Sequence, residues 1–482
     1  MEQKAGAQIG KRAFIQSLGI LFALMMIAGI LTLTVPAGQY TRIQLDGREA
    51  IDPASFQFIE KPDYPFWRWF VAPIEVLGSS SGLTVIVIIV VLFFAGGAFA
   101  VMDKTGTLRA LIGRIVRKFQ DRKYTLLWMV SLVFMFLGAT LGTFEEVVLL
   151  VPMTIALSYS LGWDALVGLG MSILATNMGF SAAISNPYTL GVAQGLAELP
   201  YISGWEFRIV VFIVIYFIFM LFLSTYARKI DKDPKSSLVH AEDSTEREKY
   251  KRIDASLIEE DPKQNRAMNF FGIFLIFIFC AMLAGPFVPA ISDYALPIVG
   301  ILFLVGGVGA GFISGAGGKK VWQGLVEGWG GLLPSIPLIL MAASIRFIID
   351  SGGVTDTILH EAATPFQKLG AFPAALVVYF LALGIEFFIA SGSAKAFLMM
   401  PIVLPLADLI GVTRQTAVLA YIFGDGFSNM AYPTSPVLLI SLGLTVVSYP
   451  KWLRWTAKLW SWVILATVIF LGIAVALNYG PF

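Results

Sequence analysis

The sequence predicts an all-α polytopic membrane protein, with about 11 transmembrane helices plus two re-entrant helical hairpins, arranged as two inverted-topology repeats with broken helices. Three observations predict it. Of 482 residues, 57% are hydrophobic and only 14% are charged, where soluble chains carry about a quarter charged residues. Charge-poor stretches of spanning length recur along the chain. One patterned unit appears twice, once rich in basic residues and once nearly free of them.

The same composition excludes other classes. A net charge of +2 gives no basic field for nucleic acid. One cysteine (Cys280) and two histidines (His240, His360) supply neither a disulfide framework nor a zinc or haem ligand set. Neither histidine lies in the repeated core, and no nucleophile pairs with a base, so an enzyme is not expected.

The spans follow in order. Residues 13–35 come after Lys11-Arg12, are long enough to cross, and precede no Ala-x-Ala-like cleavage site, so they read as an uncleaved first span. Further spans are expected at 82–102, 207–228, 268–292, 295–318, 328–350 and 456–478, while 124–198 and 371–448 are apolar but interrupted. A bilayer core takes roughly 20 apolar residues per helix.

Positive charge orients them. Lys4, Lys11 and Arg12 precede the first span, and 104–123 carries Lys104, Arg109, Arg114, Arg117, Lys118, Arg122 and Lys123. Arg228-Lys229, Lys319-Lys320, Lys451, Arg454 and Lys458 complete the set. All fall on one side if the N-terminus is cytoplasmic, in a bacterial inner membrane. The loop 36–80, with four basic and six acidic residues, then lies outside with the C-terminal Tyr479–Phe482. Its cluster Tyr64–Phe70 reads as an interfacial anchor. Residues 229–267 mix both signs and read as a solvated cytoplasmic connector between the halves. The expected organisation is a first span and outer loop (1–80), a first repeat (81–228), the linker (229–267), inter-repeat spans (268–327) and a second repeat (328–482).

The repeat is the most informative feature. Laid without a gap, 142–187 over 391–436 brings Pro152 onto Pro401, Gly162 onto Gly411 and Pro187 onto Pro436. Upstream, 104–123 has Leu108, Leu111, Ile112, Ile115, Val116 and Phe119 at helical spacing with arginines opposite, the pattern of an interfacial helix. Its counterpart, 355–370, has one lysine and no arginine. The same unit in two orientations is the mark of an inverted repeat.

Each copy then holds a hairpin tip and a broken helix. The tips are expected at Gly142–Glu146 and Ser391–Lys395, and the breaks at Asn177–Ser181 and Gly424–Asn429, with restarts at Asn186-Pro187 and Ser435-Pro436. Irregular backbone inside a bilayer is tolerated where it lines a cavity or is buried in protein. Asn186 and Ser435 are good N-caps followed by proline at the first helical position. Four positive helix ends converging at mid-depth suit a carboxylate, and unwound carbonyls suit Na⁺ or an amine. Candidate substrate-binding residues are therefore Thr143, Glu145, Glu146, Asn177, Ser185, Asn186, Ser391, Gly392, Ser393, Lys395, Asp425, Ser428, Asn429, Thr434 and Ser435. Sodium sites are expected near Thr143, Asn186, Ser393 and Ser435. Thr143-x-x-Glu146 fits a capping box, which leaves Glu145 as the candidate for an amine or a coupling proton. Lys395 is expected to be functional or to pair with Glu145 or Glu146, and Arg346 to pair with Asp350 or Glu386.

At these residues the chain resembles the ion transporter superfamily, and within it the YfcC-type branch of the four-carbon dicarboxylate uptake carrier family. The resemblance rests on Gly142–Glu146, Ser185-Asn-Pro187, Ser391-Gly-Ser393 with Leu398-Met-Met-Pro401, Gly411–Thr416, Gly424–Met430 and Pro433–Pro436. It implies secondary transport of a carboxylate-bearing solute, no cofactor beyond Na⁺ or H⁺ coupling, and a homodimer working by an elevator-like motion. Related divalent-anion carriers hold Ser-Asn-Thr at both tips. Here the tips read Thr-Phe-Glu-Glu and Ser-Ala-Lys. That departure, with Asp425, points to an amino acid, a basic one included, ahead of a dicarboxylate or a channel's ion.

The orientation is directly testable. With Cys280→Ala as background, a cysteine at residue 240 should escape a membrane-impermeant thiol reagent in intact cells, and one in the loop 36–80 should react. Labelling at 240 would invert the map.

Overall fold

The computed structural model describes residues 11–45, 48–52, 54–80, 82–119, 122–200, 202–251, 261–284, 294–363 and 369–480. Lys4, the end of the expected span 268–292 and part of the stretch 355–370 lie outside the described residues. The first helix, α1 (Lys11–Thr34), is apolar on all sides. Four short strands follow, β1 (Gly38–Gln39), β2 (Arg42–Leu45), β3 (Arg48–Ile51) and β4 (Gln57–Phe58), paired antiparallel as β1–β4 and β2–β3. The helix α2 (Arg68–Glu75) closes the aromatic cluster. Tyr64 and Trp69 turn inward, while Phe66, Trp67 and Phe70 stay exposed, as suits rings at a membrane interface.

The first copy runs α3 (Gly82–Thr105), α4 (Thr107–Phe119) and α5 (Lys123–Leu141). A 3₁₀ turn at Glu146–Leu150 then leads into α6 (Val151–Ser160). Next come α7 (Ala165–Leu169), a π turn at Gly170–Leu174 and α8 (Ala175–Ser181). A π turn at Pro187–Gly191 and α9 (Val192–Leu196) restart the chain, and α10 (Trp205–Lys232) ends the copy. After α11 (His240–Lys251), α12 (Pro262–Ala284), α13 (Ala295–Ile313) and α14 (Gly318–Leu332), the second copy repeats the order. It comprises α15 (Ser335–Ser351), α16 (Thr355–Ala363), α17 (Ala371–Glu386), α18 (Gly392–Ile410), α19 (Arg414–Ser428), α20 (Pro436–Gly443) and α21 (Tyr449–Ala476).

Among the described residues, seven helices are long and apolar enough to cross a membrane, or eight if the bent pair at 318–351 is one span. The other apolar helices are shorter: Leu18–Thr34, Glu146–Ser160, Ala165–Ser181 and Ala371–Glu386. The stretch expected to span at 328–350 is bent. Its chain bends by 41° between α14 and α15, at Leu333-Pro334, where the proline removes a helical donor. Small residues set the packing of the first half against the inter-repeat helices. A methyl on Gly324 would lie 2.8 Å from Val101 Cα, and one on Gly328 would lie 2.6 Å from the Gly96 carbonyl. Backbones approach this closely in membranes only where side chains are minimal.

The overlay has a structural cause at both of its glycine landmarks. Gly162 (φ 89°) and Gly411 (φ 79°) both adopt the left-handed conformation, which glycine alone enters freely. Two residues on, Asp164 caps α7 by accepting from Val167 N, and Thr413 caps α19 by accepting from Thr416 N.

The linker departs from expectation. Over 240–251 it is a helix, exposed over most of its described length but anchored through buried Asp243 and Arg247. Asp243 is buried, pairs with Arg247 at 3.0 Å, and accepts from Ala165 N at the start of α7 at 3.4 Å. Asp164 beside it accepts from Tyr226 Oη and Ser237 Oγ, each at 2.7 Å. The first N–H groups of a helix have no partner within it, and the Asp243 carboxyl accepts from one of them, which holds the linker against the broken helix.

Burial pushes the Asp243 carboxyl up to about 7, with Arg247 opposing and Asp164 reinforcing the shift. The folded-state value exceeds the unfolded one of about 4. The protonated form is therefore the one best held, and its stabilisation, full below about pH 4, is lost as pH rises through about 7. Amide exchange across 240–251, corrected for intrinsic rates, should accelerate between about pH 6 and pH 8 in the native chain. Asp243→Asn should flatten that profile; a profile shared by both proteins contradicts this role of Asp243 in anchoring the linker.

Candidate functional site

Both hairpins and both restarts form, but the breaks sit one turn later than the sequence suggested. Asn177–Ser181 and Gly424–Ser428 are helical, and the unwound segments are 182–186 and 429–435. The glycines that signalled a break serve contact instead. A methyl on Gly179 would lie 1.8 Å from the Met135 carbonyl, and one on Gly424 would lie 2.2 Å from the Tyr379 carbonyl. In each copy a glycine lets the broken helix touch the first arm of its hairpin. Glycine costs a helix interior only about 1 kcal/mol relative to alanine, so packing overrides it. The real breaks fall before Pro187 and Pro436, because a residue preceding proline is driven out of the helical region.

The restarts are capped as expected. Asn186 Oδ1 accepts from Tyr188 N at 2.9 Å and Thr189 N at 3.4 Å, and Ser435 Oγ accepts from Leu438 N at 3.4 Å. At the second tip, Ser391 Oγ caps α18 by accepting from Ala394 N at 3.4 Å. At the first tip the expected capping box does not close. Glu146 Oε2 accepts from Phe144 N at 3.2 Å, and Thr143 Oγ1 is left without a partner. The chain leaves α5 through Gly142 in the left-handed conformation (φ 67°), and this shifts the turn away from box geometry.

The two tips meet at one turn of helix. A methyl on Gly142 would lie 2.2 Å from Asn186 Oδ1. One on Gly392 would lie 2.4 Å from Thr189 Cγ2 and 2.9 Å from Asp425 Oδ2. The broken helices cross at Gly426, where a methyl would lie 2.4 Å from Ser181 Oγ. Around this meeting point buried polar atoms stand without a hydrogen-bond partner: Thr143 Oγ1, both amide atoms of Asn177, Asn186 Nδ2, Thr189 Oγ1 and Thr434 Oγ1. Each costs about 1–3 kcal/mol if left unmade, and native interiors hold few of them.

Other candidates are engaged locally. Ser185 Oγ donates to the Thr140 carbonyl at 3.1 Å, Ser428 Oγ to Gly424 at 2.9 Å, and Asn429 Nδ2 to Asp425 and Gly426 carbonyls at 3.4 and 3.3 Å. Ser393 Oγ lies 3.5 Å from Ser391 Oγ.

The charges pair differently from expectation. Lys395 is buried and its ammonium meets Glu386 Oε2 and, at 2.8 Å, Asp425 Oδ1, rather than Glu145 or Glu146. Glu386 is thus committed to Lys395, and Arg346 pairs with Asp350 at 3.3 Å. Glu386 and Lys395 come from the two arms of one hairpin, and Asp425 from the broken helix beside it. Glu145 lies apart, at a groove walled by Val91, Leu92, Leu296, Pro436 and Val437. Two site residues were not legible in advance. Thr189 sits three residues after the Asn186 cap, which is its only sequence signal. Glu386 carried a signal as an intramembrane carboxylate, but five irregular residues and the first turn of α18 separate it from Lys395.

Comparison with known proteins decides the family. Residues 14–476 match the family model described as the C4-dicarboxylate anaerobic carrier, DcuC. The chain belongs to this family. Among relatives of the DcuC-family chain, the "Putative basic amino acid antiporter YfcC" of Escherichia coli is 28% identical over 95% of each sequence. An uncharacterised protein of Haemophilus influenzae is 24% identical, covering 95% of this chain and 96% of its own. Solved structures similar to it include the Alcanivorax borkumensis YdaH transporter (TM-score 0.43, 17% identity, 97% and 99% of the two chains). The Neisseria gonorrhoeae antimetabolite efflux pump MtrF gives 0.44 and 17%, over 97% of each. The DcuC-family chain is therefore a membrane transporter and not an enzyme.

The glycine contacts generate a test. Gly179→Ala and Gly424→Ala should each lower the melting midpoint of the purified chain, because overpacking costs about 1–3 kcal/mol. Gly195→Ala, on α9 with nothing within 4 Å of the added methyl, should leave it unchanged or raise it. Equal midpoints for all three would remove the close approach as the reason for these glycines.

Proposed function

We propose that this transporter is a secondary carrier working by alternating access, and that its solute is a small carboxylate-bearing molecule, an amino acid ahead of a dicarboxylate. One observation carries the reading: unpartnered buried donors at the first restart stand beside a buried cluster of one ammonium and two carboxylates at the second tip. The restart supplies what a carboxylate needs. Thr143, Asn186 and Thr189 offer buried hydroxyl and amide donors at a positive helix end. The cluster supplies the opposite. One lysine against Glu386 and Asp425 leaves one negative charge in excess, which suits a solute ammonium or a coupling proton. A zwitterion satisfies both halves together, whereas a dicarboxylate would bring two negative charges to a cluster already negative. The relative described as a basic amino acid antiporter is in keeping with this choice.

Glu145 belongs to the same reading in a different role. Its groove is otherwise apolar, and a carboxylate moving along an apolar wall must be neutralised, by a proton or a cation. The proposal keeps a cytoplasmic N-terminus in a bacterial inner membrane, a homodimer, an elevator-like motion, and coupling to Na⁺ or H⁺.

Counterflow in proteoliposomes tests it, because only a carrier exchanges labelled solute against an equal gradient. Arginine, lysine, a neutral amino acid and succinate form a sufficient panel. Uptake of succinate with no amino acid uptake would reject the zwitterion. With the best solute, Asp425→Asn and Glu145→Gln should abolish counterflow while folded protein is retained, since they change charge and not shape. Thr189→Val, which removes one hydroxyl, should weaken apparent affinity about tenfold, the equivalent of about 1.4 kcal/mol. Native transport in all three variants would place the solute elsewhere.

A further inference from the structure

Lys395 is in the wrong place for ordinary helix chemistry. It lies in the first turn of α18, just after the Ser391 cap, where the dipole repels cations and favours acids. The overlay sharpens the anomaly. At the same ungapped spacing Lys395 falls on Glu146 and Asp425 on Thr176, so the ammonium and its carboxylate partner on the broken helix belong to the second copy alone. The residues opposite in the first copy offer no cation.

The surroundings of Lys395 are those of a small cation. Lys395, Glu386 and Asp425 are 0%, 1% and 0% exposed. The ammonium holds Glu386 of one hairpin arm and Asp425 of the broken helix at once. Among the described residues no hydroxyl or amide donates to either Asp425 oxygen, so the ammonium alone balances that carboxylate. Gly392 allows this approach, since any side chain there would strike Asp425 and Thr189. Ser391, the cap, and Ser393 stand within one turn of Lys395 along the chain. Two carboxylates with flanking hydroxyls are a hard-oxygen set of the kind that binds a hard cation.

We infer that Lys395 is a tethered counter-cation standing where the second hairpin would otherwise hold a monovalent metal ion. Closure of this hairpin on α19 then needs no Na⁺, and any sodium dependence of the chain arises from the first copy. The expectation of a sodium site at Ser393 is replaced by a covalently supplied positive charge. Removing the four-carbon stem and its ammonium leaves room and two carboxylates, which together make an occupiable Na⁺ site. The inference takes from the proposed function only that the second hairpin is part of the site. Its test reads stability and needs no solute.

The full-length protein is purified in detergent, and its melting midpoint is measured in NaCl and in choline chloride of equal ionic strength. The quantity read is the Na⁺-minus-choline shift. Lys395→Ser should melt earlier than the native chain in choline and regain several degrees in Na⁺, saturably, so that its shift exceeds the native one. Should this variant, with two unbalanced carboxylates, fail to accumulate, Lys395→Ser with Glu386→Gln keeps one carboxylate and should still show the excess shift. The triple variant Lys395→Ser, Glu386→Gln, Asp425→Asn should return to the native shift. The inference is overturned if the single or double variant shows no more Na⁺ dependence than the native chain, or if the triple variant keeps the excess. A failure of counterflow leaves these midpoints untouched, so the two readings fall separately.

Discussion

Backbone inside a hydrocarbon layer finds no water, so each unwound peptide group must be met by the protein itself. The segments around 142–145, 182–186, 387–391 and 429–435 all face this demand, and the rest of the fold is arranged to meet it. Asn186 and Ser435 cap the helices that restart. Arg208, buried on α10, donates to the carbonyls of Ile184, Ile202 and Ser203 at 3.1, 3.0 and 2.7 Å. Tyr421 Oη donates to the Gly392 carbonyl at the second tip, and Trp452 Nε1 to the Met430 carbonyl at 2.7 Å in the second break. In both breaks and at the second tip, a side chain on a regular helix thus reaches a backbone carbonyl.

Close approach is the second consequence of that demand. Donors reach the breaks only if helices touch backbone to backbone, and glycines at 138, 179, 424 and 426 make this contact. Tip, break and restart then become one rigid unit in each copy, joined across the pseudo-symmetry where Gly426 meets Ser181. What differs between the copies is charge. The first tip carries two acids, Glu145 and Glu146, and the second sets Lys395 against Glu386 and Asp425. A shared backbone with unlike chemistry lets one end of a solute be told from the other.

Much of this was legible in the sequence because it follows local rules. Spans follow from runs of apolar residues, restarts from Asn-Pro and Ser-Pro, and the pairing of copies from Gly162 and Gly411, whose left-handed conformation admits little else. The breaks at 177–181 and 424–429 were misplaced because glycine signals both a helix end and a close contact, and only the neighbouring helix distinguishes them. The capping box at Thr143 failed because Gly142 shifts the turn that precedes it. Lys395 was visible as an anomaly, but its partners were not. Charge pairing across a hairpin depends on the depth at which each arm ends, and composition carries no such information. The linker's anchor was hidden for a related reason: a largely exposed, charged helix gives no sign that one of its acids reaches the start of α7.

Arg208 also bears on how such a chain can be made. Its guanidinium secures the first break, yet it also donates to Tyr479 Oη at 3.1 Å, 271 positions later. That phenol in turn donates to the Gly204 carbonyl at 2.6 Å. Synthesis delivers the N-terminal half first, so for most of translation the first repeat sits in the membrane with a cation whose last partner does not yet exist. The first repeat is therefore not self-contained: one of its buried hydrogen bonds is completed by the second. Its last contact comes from Tyr479, three residues beyond α21 and made only after the second copy.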